Sequence, residues 1–128
     1  MMQGLTSIVD LLISTEATVS AITEDIAAYC ARESLPLGAA DDAIAKYVAL
    51  KFVRGEMSYA DADVAMNALV GLDVINFDHT GFAWQVYLQF DNGEYQRSTE
   101  ARDSIPWQQY TLPGVMALLK KNGIAILP

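Results

Sequence analysis

Apolar residues recur at helical spacing along most of this chain. Leu5, Ile8, Val9 and Leu12 follow the i, i+3, i+4, i+7 rule and predict a short first helix, widened on its apolar side by Leu11 and Ile13. Ser14 or Thr15 offers a break and an N-cap. A second stripe of Val19, Ile22, Ile26, Tyr29 and Cys30 predicts an amphipathic helix from Glu16 to Ser34, with Glu24, Asp25 and Arg32 away from it. Leu35-Pro36-Leu37-Gly38 stops it, since proline disfavours helical geometry in the residue before it. The third helix starts at Asp41 and Asp42, at the positive end of its macrodipole. Lys46, Lys51 and Arg54 lie toward the negative end, and the expected buried face is Ile44, Tyr47, Val48 and Phe52. Gly55 closes it.

Ser58 to Gly71 is the most clearly punctuated segment. Ser58 serves as N-cap, Asp61 as an acidic version of the capping-box residue and Gly71 as C-cap, with Tyr59, Ala62, Ala65, Met66, Leu69 and Val70 on one side. Leu72 to Phe77 alternates and fits either a helical extension or a short strand, and Asp78-His79-Thr80-Gly81 reads as a turn. From Phe82 to Phe90 two periods compete. Phe82, Trp84, Val86, Leu88 and Phe90 alternate as a strand would, whereas a helical projection leaves one polar wedge of Gln85, Gln89 and Asn92. A return strand from Glu94 to Glu100 would be almost wholly polar and gain little from cross-strand pairs, which favours a helix ended at Asn92-Gly93. Arg97 to Gln109 reads as a long loop anchored by Trp107 and Tyr110. Thr111 then caps a last helix, with Pro113 in its first turn, Lys120 and Lys121 at its negative end and Gly123 as its stop; Ile124 to Leu127 is an apolar tail.

These elements predict a mainly α fold, one domain over residues 1–128 built as a bundle of five or six helices. The alternative is α+β, with one small antiparallel hairpin around residues 72–98. A length of 128 residues suits one hydrophobic core, and a 52% hydrophobic fraction is too high for a disordered chain.

Charge changes the picture most. The chain carries 8 Lys and Arg against 16 Asp and Glu, a net charge of −8. Between Gly55 and Gln96 stand seven carboxylates (Glu56, Asp61, Asp63, Asp73, Asp78, Asp91 and Glu94) and no Lys or Arg. Such a balance argues against nucleic acid, whose phosphates need a basic patch, and against anionic membrane surfaces. A basic protein is the partner it favours. No apolar run has the length of a membrane span, and the first positive side chain is Arg32, too late for a signal peptide. With Cys30 the single cysteine, no internal disulfide is possible, and the expected location is cytoplasmic.

The common catalytic signatures are absent: no phosphate-binding glycine loop, no nucleophile elbow, no paired His or Cys. His79 is the only histidine, and Cys30 on its aliphatic stripe reads as a small core residue. Asp91 to Glu94 fails as a calcium loop, because Leu88 and Thr99 would fall at ligand positions. No metal or cofactor is expected, and an enzyme is disfavoured. Local structure explains the polarity of Asp63 with Asn67, and of Asp91 with Glu94, least well; with Trp107 they are the candidate partner-binding residues. The function expected is a small acidic interaction module, an inhibitor or immunity- or antitoxin-like protein masking a basic partner. The chain is expected to be a monomer or homodimer, and the alternatives are a non-catalytic self-associating scaffold subunit and a small carboxylate-dependent hydrolase.

Overall fold

The computed structural model describes residues 2–14, 16–36, 39–72, 81–94 and 105–126. Within them the chain forms α1 (Met2–Ile13), α2 (Val19–Glu33), α3 (Ala40–Val53), α4 (Tyr59–Leu72), α5 (Phe82–Asn92) and α6 (Leu112–Lys121), and no strand. The mainly α reading therefore holds. The hairpin alternative is overturned where it can be examined, since Phe82 to Asn92 is helical; its proposed partners, residues 73–80 and 95–98, lie outside the described residues, as do the Asp78 to Thr80 turn and most of the loop from Arg97.

Helix α3 is the centre of the packing and touches α1, α4, α5 and α6. Its buried set is wider than one stripe: Ala40, Ile44, Ala45, Tyr47, Val48, Ala49, Leu50 and Phe52 are all covered. A helix apolar nearly all round belongs inside. Helices α1 and α2 pack by their stripes, except that Val19 is 58% exposed, because α2 starts there rather than at Glu16. The Thr18 hydroxyl, not Ser14, caps it by accepting the Ala21 N–H at 3.1 Å, and Thr15 lies outside the described residues. Gly71 lies inside α4 rather than past its end.

The last helix departs most from expectation. Pro106 to Gln109 is helical, and Trp107–Thr111 forms a wide turn in which the Leu112 N–H reaches back to the Trp107 carbonyl, an i→i+5 bond. Pro113 explains the widening: it has no N–H for the Gln109 carbonyl, and its ring would collide with that oxygen in a regular α-turn. Thr111 is thus not an N-cap. It is fully buried in helical geometry, and its hydroxyl donates to the Gln89 carbonyl at 2.7 Å.

That bond closes the C-terminal end of α5, where carbonyls lose their helical partners. Tyr59 on α4 donates its hydroxyl to the next carbonyl, Phe90, at 2.8 Å. Side chains from two other elements therefore cap α5. Thr111→Val keeps the shape and removes the donor; it should cost about 1.5 kcal/mol in chemical denaturation with an unchanged m-value, and a neutral result would remove this bond from the account.

Candidate functional site

Ser58 starts α4 by accepting the Asp61 N–H at 3.1 Å, and this fixes the register of the helix. Ala62, Ala65, Met66 and Leu69 then face the core, and Tyr59, Asp63 and Asn67, each four residues apart, run along the border facing α5. Helix α5 buries Ala83, Val86 and Phe90 and ends beside this border, bringing Asp91 and Glu94 to it.

The carboxyl groups of Asp63 and Glu94 lie next to each other, and Asn67 beside them donates its Nδ2 to Glu94 Oε2 at 3.1 Å. A like charge that close disfavours ionisation of Asp63. Burial, then the adjoining Glu94 carboxyl, then the charge of Asp91 push Asp63 up to about 7, against a smaller downward pull from Asn67. Among the described residues Asp63 Oδ1 is buried with no hydrogen-bond partner, and no Lys or Arg acts on the group.

An aromatic wall stands behind these acids. The Tyr59 ring stacks on Trp107 at 5.6 Å and 8°, and both meet Phe52, which packs edge-on to Phe90 at 5.0 Å. Burial, followed by Asp63, Glu94 and Asp91, holds the Tyr59 hydroxyl well above the usual tyrosine range, so it remains a donor. Tyr87 is raised as well, by burial and then by Asp91, Glu94 and Asp63.

All five candidate residues thus lie in one neighbourhood. Asp63, Asn67, Asp91 and Glu94 form its acidic edge, and Trp107 is half-buried in the wall behind it. Tyr59 and Tyr87 were not singled out in the sequence, although Tyr59 stands four residues before Asp63 on the same helix. Asp61 is exposed, and Glu56 is engaged by Lys51 at 3.1 Å. Asp73, Asp78 and His79 lie outside the described residues. Three hollows on the described surface, lined by 116–126, by 6–11 and by parts of 42–46, 82 and 122–124, include none of Asp63, Asp91 and Glu94. The described residues contain no group of three or more His, Cys, Asp or Glu arranged to hold a metal ion.

A buried acid was not anticipated. Asp41, expected only at the positive end of the α3 macrodipole, is just 5% exposed, and its Oδ1 has no partner among the described residues. Burial, and then Asp42, push it up to about 6. Asp42 itself accepts the Ala83 N–H at 3.1 Å and helps to start α5. Cys30 is buried, and burial and the Asp41 charge push its thiol up, as suits an inert core residue.

Comparison with protein-family models, with curated proteins and with solved structures finds no match to this chain. No described helix is long and apolar enough to cross a membrane.

Proposed function

We propose that the chain is a small acidic interaction module, inhibitor-like or immunity- or antitoxin-like, whose Asp63–Asp91–Glu94 edge receives a basic side chain of a partner protein. The observation that supports this reading is the convergence of three carboxyl groups, from α4 and from the C-terminal end of α5, with no cation acting on Asp63 among the described residues. Helix physics makes the placement costly. Asp91 and Glu94 sit at the negative end of α5, which has no basic residue in its last turn, so local structure gives no reason for them. A Lys or Arg from outside would relieve that repulsion, favour the ionised form of Asp63 and lie beside Tyr59 and Tyr87, whose rings favour a cation. The net charge of −8 would steer such a partner in.

The test uses a labelled Lys/Arg-rich peptide and fluorescence anisotropy at low and high salt. Wild type should bind, and Asp91→Asn with Glu94→Gln should weaken binding about tenfold, or about 1.4 kcal/mol. The exposed pair Asp10→Asn with Glu24→Gln removes the same charge elsewhere and should change it little. Equal losses in the two double variants would show a diffuse charge effect and end the reading.

A further inference from the structure

The end of α6 and the tail behind it form a surface that the carboxylate edge does not use. Helix α6 stops in a Schellman turn: the Gly123 N–H bonds to the Lys120 carbonyl at 3.0 Å, and the Ile124 N–H to the Leu119 carbonyl at 2.9 Å. Gly123 takes φ +71°, which a side chain would strain. The chain then runs back along the bundle, and Arg54 Nε at the end of α3 donates to the Ile126 carbonyl. Both ends of the tail are therefore tied. Between the tail and α6 is a shallow apolar groove of about 480 Å³ lined by Met116, Ala117, Lys120, Ile124 and Ile126, with Met116 43% exposed. Ile124 also borders a second hollow of about 290 Å³, whose lining includes Lys46 and Phe82.

We propose that this groove docks an amphipathic segment of a partner protein, with an aliphatic side chain over Met116 and Ile124 and carboxylates meeting Lys120 and Lys46. Charge selects the occupant. In a chain at −8, the double hollow is lined by two lysines and a single acid, Asp42, whose Oδ1 already accepts the Ala83 N–H. The macrodipole accounts for lysines at the end of α6 but not for an exposed methionine between them and the tail. A second copy of the chain would bring its whole −8, whereas a segment need carry only the few carboxylates that meet Lys46 and Lys120, so a separate short acidic, apolar segment fits better.

The probe is a fluorescein-labelled synthetic helical peptide with Leu and Ile at i, i+3, i+4, i+7 and Glu on both flanks, compared with the same peptide carrying Gln for Glu, because a Lys peptide would also be drawn to the Asp63–Asp91–Glu94 edge. Anisotropy should saturate for the Glu peptide on the full chain at a concentration at least about tenfold below that for the Gln peptide. Met116→Asp should weaken the Glu peptide at least about tenfold, and Lys46→Glu with Lys120→Glu should reverse the preference. These three side chains are exposed, and unchanged circular dichroism will show that the fold is kept. Absence of saturation up to about 1 mM, equal binding of both peptides to the wild type, or indifference to Met116→Asp would overturn the proposal.

Discussion

Raising the pH from about 4 to about 7 should weaken the fold by about 3 kcal/mol. Most acidic proteins gain stability over this range, because their carboxylates are more acidic folded than unfolded. Here two groups run the other way. Asp41 is raised to about 6 by burial and Asp42, and Asp63 to about 7 by burial and the adjoining Glu94 carboxyl. An unfolded Asp titrates near 4, so between about 4 and 7 the folded state holds more protons than the unfolded one, and the slope of stability against pH is negative. Below about 4 both states are protonated and the penalty is absent; above about 7 it is complete and constant. Shifts of this size would be worth more at face value, but Asp63 is partly open to water and its neighbours are screened, which reduces the sum. Urea midpoints from pH 4 to pH 8 measure the effect. Asp41→Asn with Asp63→Asn should flatten the profile and stabilise the chain at pH 7.5 but not at pH 4. A wild type as steeply dependent on pH as the double variant would remove both acids from this role.

The difference between what the sequence shows and what only packing decides is clearest in α5. Phe82, Trp84, Val86, Leu88 and Phe90 alternate as a strand would, Gln85, Gln89 and Asn92 form a helical wedge, and only the polarity of Glu94 to Glu100 tips the sequence toward a helix. In the fold Ala83, Val86 and Phe90 are buried and Leu88 is 38% exposed, a three-and-four spacing that only a helix produces. A small alanine facing the core is a weak signal, while the large exposed leucine is a misleading one. Asp41 fails for a related reason. Dipole logic puts an acid at a helix start into solvent, and nothing local reveals that this first turn lies beneath other elements. Thr111 was misread because its partner, the Gln89 carbonyl, is 22 residues away and offered by a helix end. The acidic edge was easier to find. Asp63, Asn67, Asp91 and Glu94 stood out because local structure does not require them, but their meeting depends on α4 lying against α5, a non-local fact.

Gly93→Ala should destabilise the protein by about 3 kcal/mol and lower its melting temperature by about 10 °C. Gly93 follows α5 and is buried against the wide turn before α6. A Cβ placed on it would lie 2.1 Å from Thr111 Oγ1, 2.8 Å from Trp107 Cα and 2.9 Å from Trp107 Cβ. The first contact could be relieved by rotating or removing the threonine side chain. The second involves backbone, so α5 and the Trp107–Thr111 turn must separate. Their separation breaks the Thr111–Gln89 bond and loosens the Tyr59–Trp107 stack, which adds to the cost of overpacking. Gly93→Ala combined with Thr111→Ala should therefore recover little, whereas a steric conflict confined to the hydroxyl would be cured by the second change. Because Gly93 lies between Asp91 and Glu94, the same movement carries Glu94 away from Asp63 and Asn67. The surviving folded fraction should then lose the part of the pH dependence that comes from Asp63 and keep the part from Asp41, which sits at the start of α3. A variant with wild-type stability and an intact pH profile would show that the close approach at Gly93 does not hold the acidic edge together.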